Sequence, residues 1–300
     1  MTSFDDQIEQ AYAQFKTPAS RVNTPLRLAR LYLRLLSLAA PAKAAKTAHK
    51  WFFTPLKSPM SAKDTAVIEQ AANRQTLTLD NGVAFESYCW GEGERCILLV
   101  HGWESKAAHF KILIDKLLAR GYRVAAFDAP GHGLSAGNWS DILEYIKIIF
   151  AMEREYGPFY GAVGHSLGGL ALTNAVKRGL QLQRAVVISA PTKFRAVIDK
   201  YAKIIDLNRK MQLRLRESVK GYFGLGDELW NTFTAYKGLD QVQIAATIFH
   251  DEQDDEVLYV EGQCLAQAWP GATLVTTQGL GHRKIIKSDD VTEQIVTCMD

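Results

Sequence analysis

At the centre of the 300-residue chain stands Gly164-His165-Ser166-Leu167-Gly168-Gly169. It follows the apolar run Tyr160-Gly-Ala-Val163 and precedes a helical pattern over 167–179. A G-x-S-x-G pattern between a buried strand and a helix requires a sharp turn, in which small residues let neighbouring backbone approach and the serine adopts a strained conformation. The pattern predicts that the Ser166 hydroxyl projects from the end of a strand, beside the free N–H groups of a helix N-terminus.

Strand-type runs alternate with helical patterns on both sides of this turn. The predicted strands lie at 76–79, 83–90, 96–100, 122–127, 160–163, 184–189, 242–249 and 272–277, and the predicted helices between or after them at 105–120, 141–156, 167–179, 259–268 and 289–299. Such alternation indicates an α/β fold, with a mostly parallel, doubly wound sheet. Asp80-Asn-Gly82 predicts a hairpin between the first two strands. In parallel sheets, reactive residues collect at the carboxyl ends of the strands.

His101-Gly102-Trp103 follows the predicted strand at 96–100. A turn here can aim the Trp103 N–H at the same point as the Leu167 N–H, which gives two donors for an oxyanion. His101 is then a structural loop residue. The simpler alternative is an ordinary turn at the end of a strand.

Asp128-Ala-Pro-Gly-His-Gly-Leu-Ser135 follows the strand at 122–127. Because Asp128 precedes Ser166 in the chain, we interpret it as an organiser of this loop through hydrogen bonds to local N–H groups.

A carboxylate-rich loop, His250-Asp-Glu-Gln-Asp-Asp-Glu-Val257, follows the strand at 242–249. One of its carboxylates can hold a histidine in a useful tautomer, and we select Asp254, with Asp251 and Asp255 as alternatives. The D-x-D-x-D-G spacing of a calcium loop is absent from this segment.

His282 ends the segment Gly279-Leu-Gly-His282, which follows the last predicted strand. Of the seven histidines, it alone combines this position with the chain order serine, acid, histidine that triads on this type of sheet follow. The glycines leave its loop free to bring the imidazole over Ser166.

These motifs together resemble the α/β-hydrolase superfamily over residues 75–300. The resemblance implies a serine hydrolase of the carboxylesterase type. In it Ser166 is the nucleophile, His282 the base and Asp254 its partner, and the amides of Trp103 and Leu167 form the oxyanion hole. It implies a helical lid at 192–241, a small-molecule ester as substrate and no metal or organic cofactor. Thioesterase, acyltransferase and peptidase activities use the same triad. A hydrolase acting at a lipid surface and a binding protein without catalysis are further alternatives.

A block of positive charge precedes this region. Of the 35 basic and 32 acidic residues, ten basic and no acidic residues lie between Ala11 and Lys63, so the rest of the chain carries a formal charge of −7. Such a block favours contact with an anionic surface or with an acidic patch of the protein itself. No base-reading motif accompanies it, which argues against nucleic acid as a partner.

Within this block, Pro25 and Pro41 bracket a helical segment in which Arg27, Arg30 and Arg34 share one face. The segment is too short and too charged to span a bilayer. It suits either a soluble helix packed on the protein or a helix lying at the surface of an anionic membrane, with contact through residues 16–63.

The predicted organisation has a basic helical extension at 1–74, a core formed by 75–191 and 242–300, and the lid at 192–241. In the extension, helices are predicted at 4–16, 26–50 and 64–74. No C-x-x-C spacing and no signal peptide are found, so the sequence favours a cytoplasmic protein, either free or peripheral to the inner face of a membrane.

Overall fold

A computed structural model describes residues 3–15 and 22–300 of the chain. Residues 16–21, where the predicted membrane-contact segment begins, lie outside the described residues. The helices are α1 Phe4–Ala13, α2 Thr24–Ala39, α3 Pro41–Phe52, α4 Ala62–Glu69, α5 Lys111–Ala119, α6 Ile142–Tyr156, α7 Leu167–Lys177, α8 Phe194–Ile204, α9 Arg209–Phe223, α10 Glu228–Thr232, α11 Tyr259–Ala268, α12 Gly281–Lys284 and α13 Asp289–Met299.

The described residues form a sheet of eight strands. They are β1 Asn73–Thr78, β2 Ala84–Trp90, β3 Cys96–Val100, β4 Arg123–Asp128, β5 Phe159–His165, β6 Arg184–Ile188, β7 Ala245–Asp251 and β8 Thr273–Thr277, in the spatial order β1-β2-β4-β3-β5-β6-β7-β8. β1 and β2 pair antiparallel, β2 pairs antiparallel with β4, and the remaining neighbours are parallel. The predicted hairpin and the mostly parallel α/β sheet are confirmed.

Both faces of this sheet are covered. Every residue of β3 is buried, and successive residues of a strand point to opposite faces. Ile97 and Leu99 pack in one cluster with side chains of α5 and α13, such as Leu117 and Ile295. Leu98, which points to the other face, is also fully buried. The continuous apolar run of β3 is therefore explained by burial on two sides.

The chain divides into two compact units. The sheet unit comprises Pro55–Thr192 and Ala235–Asp300, and the helical unit takes its described residues from Met1–Thr54 and Lys193–Thr234. The helical unit thus joins two segments that are far apart in the sequence.

Within the helical unit, the helix predicted over 26–50 is divided. α2 ends at Ala39, Ala40 has a non-helical backbone at φ −148° and ψ 75°, and α3 starts at Pro41. Proline fits the first turn of a helix but disfavours the helical conformation in the residue before it, so Pro41 begins α3 and ends α2. α2 packs against α3, and α3 packs against α9.

Among the described residues, every helix is too short or too polar to cross a bilayer.

Candidate active site

Three loops of the sheet unit meet at one edge of the sheet. In the parallel register His165 pairs with Ile188, Ile188 with Phe249, and Asp251 with Thr277. β5, β7 and β8 therefore end within two residues of one another along the sheet. The loops that follow these strands carry Ser166, Asp254 and His282.

Ser166 occupies the predicted sharp turn between β5 and α7. Its backbone has φ 56° and ψ −125°, a conformation that side-chain-bearing residues rarely adopt. Gly168 makes the turn possible, because a Cβ at this position would collide with the carbonyl oxygens of Val100 and His101. The strain and the close approach leave the Ser166 hydroxyl at the end of the strand, partly exposed.

A continuous chain of hydrogen bonds joins Ser166, His282 and Asp254. The distance from Ser166 Oγ to His282 Nε2 is 2.9 Å, and that from His282 Nδ1 to Asp254 Oδ2 is 2.8 Å. A neutral imidazole carries one proton, and the carboxylate can only accept it. The proton is therefore on Nδ1, and the unprotonated Nε2 accepts the hydrogen bond from the Ser166 hydroxyl.

Asp254 is buried but retains its negative charge. Burial alone raises the pKa of this carboxyl, whereas the hydrogen bond from His282 and those from backbone N–H groups lower it, and the net effect is a pKa below the usual value. The N–H groups of Glu256 and Val257 both donate to Oδ1 at 2.8 Å. These donors fix the carboxylate, so that Oδ2 points at the histidine.

The two alternative acids have different surroundings. Asp251 is fully buried, and its Oδ2 accepts hydrogen bonds from Thr277 Oγ1 at 2.7 Å and from the Leu280 N–H at 3.0 Å. It therefore holds the loop that carries His282 rather than the imidazole. Asp255 is exposed. Of the three carboxylates, Asp254 is the one that contacts His282 Nδ1.

Two backbone segments lie next to Ser166, and they carry the residues predicted as oxyanion donors. A Cβ at Gly102 would lie 2.8 Å from Ser166 Cβ, so the turn that carries Trp103 runs directly against the serine. Leu167 is the first residue of α7, where backbone N–H groups have no acceptor within the helix.

His101 and Asp128 stabilise this turn from behind. The His101 Nδ1–H donates to the Gly102 carbonyl at 2.7 Å, and Nε2 accepts from the Ala129 N–H at 3.0 Å. Asp128 accepts hydrogen bonds from the N–H groups of Ala107 and Leu134, both at 2.8 Å. The interpretations of His101 as a structural residue and of Asp128 as a loop organiser are confirmed.

Two buried histidines were not singled out from the sequence. The His165 Nε2–H donates to the His282 carbonyl at 2.9 Å, and the His250 Nε2–H donates to the Val257 carbonyl at 2.9 Å. Burial lowers the pKa of His165 to about 3 and also lowers that of His250. Both rings are neutral and hold the two loops in place. The sequence feature that could have pointed to them is their position at the ends of β5 and β7.

Within residues 3–15 and 22–300, no group of three histidine, cysteine or acidic side chains is arranged to hold a metal ion.

Two curated proteins are similar to parts of this chain. A pimeloyl-[acyl-carrier protein] methyl ester esterase of Sodalis glossinidius (strain morsitans) is 33% identical over 88 residues, which cover 29% of this chain and 33% of that protein. A non-heme haloperoxidase of Rhodococcus erythropolis is 34% identical over 119 residues, covering 38% of this chain and 43% of that protein. The chain thus spans less than half the length of these relatives.

The fold is also similar to that of an esterase from Pyrococcus furiosus, with a TM-score of 0.62. The superposition covers 82% of this chain and 98% of the esterase, at 17% sequence identity. A likeness at this identity concerns the fold alone. The model of the alpha/beta hydrolase family matches residues 97–293, which include all three residues of the hydrogen-bonded chain. The resemblance inferred from the motifs is confirmed, and the protein belongs to the alpha/beta hydrolase family.

Proposed function

We propose that this protein hydrolyses carboxylic esters of small molecules through an acyl-enzyme formed on Ser166. The observation that carries the proposal is the hydrogen-bonded chain from Ser166 Oγ through His282 to the buried Asp254. A serine hydroxyl is a weak nucleophile until an adjacent base accepts its proton. The arrangement supplies that base, with its unprotonated nitrogen directed at the hydroxyl.

In the first step, Ser166 Oγ attacks the ester carbonyl carbon while His282 Nε2 takes the hydroxyl proton. The carbonyl π electrons move to the oxygen, which becomes an oxyanion. The N–H groups of Trp103 and Leu167 are the donors proposed for it, and the N-terminus of α7 adds a favourable dipole. Asp254 stabilises the imidazolium that forms, since its carboxylate remains ionised beside Nδ1.

The second half regenerates the enzyme. His282 Nε2–H protonates the leaving alkoxide as the bond from carbon to the ester oxygen breaks, which leaves the acyl group on Ser166. A water molecule then attacks the acyl carbon, and His282 accepts its proton and returns it to Ser166 Oγ. The products are a carboxylic acid and an alcohol, so the balance requires only water.

The similarity to a methyl ester esterase, which is 33% identical over 88 residues, supports an ester as substrate. We further propose that residues 192–241, which contain α8, α9 and α10, act as a lid. They are inserted between β6 and β7, and such insertions commonly close over a site and exclude water.

Labelling with a fluorophosphonate probe tests the nucleophile. The probe forms a bond from Ser166 Oγ to phosphorus and expels fluoride, so we expect the wild-type protein to be labelled and Ser166→Ala to remain unlabelled. Ser218→Ala is the matched control, because Ser218 Oγ also lies 3.0 Å from a histidine nitrogen, His49 Nδ1. Labelling that persists in Ser166→Ala contradicts the proposal.

A series of acyl esters and the corresponding thioesters of increasing chain length tests the reaction. We expect turnover of at least one ester by the wild-type protein and none above background by Ser166→Ala. Turnover of thioesters alone would replace the esterase with a thioesterase. Absence of turnover in a folded protein that the probe labels would indicate a narrow substrate range.

A further inference from the structure

Helix α2 of the helical unit exposes a continuous row of large apolar side chains. The exposed fractions are 62% for Leu28, 53% for Leu31, 47% for Tyr32, 58% for Leu35 and 77% for Leu38. We call these five residues the leucine row. Their spacing of three and four residues places them on one face of the helix over a length of about 15 Å.

The leucine row is not the face by which α2 packs into its own unit. Leu33 is 1% exposed and points to the opposite side of the helix, where it supplies the core contact. Burying one side of an amphipathic helix normally leaves a polar surface on the other. In α2 both sides are apolar, so the outer side requires an explanation beyond the stability of the unit.

Positive charge borders the leucine row. At 3.6 residues per turn, Arg27 and Arg34 follow one edge of the row, and both are exposed. The adjoining helix α3 exposes Lys43, Lys46 and Lys50. Among the residues that the structure describes, none of these five cations forms an ion pair with a carboxylate, in keeping with the absence of acidic residues between Ala11 and Lys63.

We infer that the leucine row docks this protein on a bilayer that contains anionic phospholipid. An apolar helical face edged with arginines suits the boundary between lipid headgroups and acyl chains, because the leucines enter the apolar layer while the long cationic side chains reach the phosphates. The helix has 16 residues and lies in the plane of the interface rather than across the bilayer.

Charge also favours a membrane over a second copy of the chain as the partner of the leucine row. A symmetric dimer through the leucine row would bring two sets of unpaired arginines and lysines together, which is unfavourable. An anionic membrane instead offers the opposite charge, and each basic residue near its surface strengthens binding by about fivefold. The inference does not depend on the reaction proposed for Ser166, and it assigns the lipid contact predicted within 16–63 to one helix face.

Flotation of the full-length protein with phospholipid vesicles tests the inference. We expect the protein to float with vesicles of phosphatidylcholine and phosphatidylglycerol and to stay unbound with phosphatidylcholine alone. Replacing Leu28, Leu31, Leu35 and Leu38 by serine should reduce the bound fraction at least about tenfold, since burial of these side chains supplies the apolar part of binding. Arg27→Gln with Arg34→Gln should weaken binding by about tenfold or more.

The controls separate lipid contact from damage to the fold. Leu213→Ser is the matched variant, because Leu213 is 51% exposed on α9 of the same unit, and we expect it to float like the wild type. All variants should keep the wild-type thermal transition, since the altered side chains are exposed. Light scattering on each variant reports the oligomeric state.

Three results would overturn the inference. One is failure of the wild-type protein to float with anionic vesicles. Another is flotation of the fourfold serine variant at the wild-type level. The third is a dimer in solution that the serine substitutions convert to a monomer while flotation is unchanged, which would assign the leucine row to a second copy of the chain.

Discussion

The sheet unit and the helical unit place their polar and apolar residues in opposite ways. The sheet unit buries groups that can ionise, among them Asp251, Asp254, His165 and His282. The helical unit contains eight of the ten large apolar side chains that are exposed in the described residues. Polar groups inside a protein are costly unless they have partners or a task, and apolar groups outside indicate a contact. The contrast agrees with the two proposals, which give catalysis to the sheet unit and membrane binding to the helical unit.

The largest expected effect is on kcat, when the reactive group of the sheet unit is removed. Ser166→Ala should lower kcat for an ester substrate by about 10⁶-fold, because loss of a triad serine removes the covalent route entirely. The check is a comparison of initial rates at saturating substrate, with circular dichroism to show that the variant is folded. If Ser166→Ala retained more than about a thousandth of the wild-type rate, Ser166 would not be the reactive group, and the contrast between the two units would be lost.

The next effect concerns the buried carboxylate. Asp254→Asn should reduce kcat by about 10⁴-fold, since an amide can present its NH₂ group to His282 and favour the wrong tautomer. Asp255→Asn is the control, because Asp255 is exposed one residue further along the same loop. We expect its rate to stay close to that of the wild type. Equal losses in the two variants would show that the loop charge matters rather than the contact with His282.

Within the helical unit, two leucines of α2 test the distinction between core and surface. Leu33→Ala should lower the free energy of unfolding of this unit by about 2–5 kcal/mol, because Leu33 is 1% exposed and its removal leaves a cavity. Leu28→Ala, at a residue 62% exposed, should change it by less than about 0.5 kcal/mol. Hydrogen exchange of α2 as a function of urea measures both. Similar costs would mean that the leucine row contributes to the core.

The most gradual effect is a loss of stability as the pH is lowered. Burial lowers the pKa of His101 from 6.5 to about 4 and that of His165 from 6.5 to about 3. Below about pH 6.5 the unfolded chain therefore binds protons that the folded chain does not, and each such histidine lowers the stability by about 1.4 kcal/mol per pH unit until its folded pKa is reached.

The measurement is the urea midpoint of the sheet unit, monitored by hydrogen exchange at pH values between about 7 and about 5. We expect the midpoint to fall as the pH is lowered. The helical unit holds only His49 among its described residues and should respond less. A midpoint of the sheet unit that is independent of pH over this range would contradict the neutral state of the buried imidazoles.

Much of the sheet unit was predictable because its signals are local. The strand β3 is a run of five apolar residues, and the turn at Ser166 has glycines where backbone must approach closely. Local periodicity also predicts helices in the N-terminal segment. It does not show that these helices share a compact unit with residues 193–234, since that association depends on contacts between distant segments.

The site was predictable in type but not in every residue. The turn motif predicted Ser166 and chain order predicted His282, whereas Asp254 was selected with Asp251 and Asp255 as alternatives. Which carboxylate reaches the histidine depends on the turn after β7, where the N–H groups of Glu256 and Val257 capture Asp254 Oδ1. The path of the backbone through this turn decides the geometry, and the sequence of the loop alone does not predict that path.

The backbone at Ser166 implies a trade-off between heat resistance and reactivity. A residue with a side chain at φ 56° and ψ −125° costs about 1–3 kcal/mol, and glycine tolerates this conformation with little strain. We therefore expect Ser166→Gly to melt at a higher temperature than Ser166→Ala, which lacks the hydroxyl but keeps Cβ, and calorimetry would show it. Selection for thermal stability alone would replace this serine with glycine. The strain at Ser166 is therefore the stability that the protein loses by presenting a hydroxyl at this position.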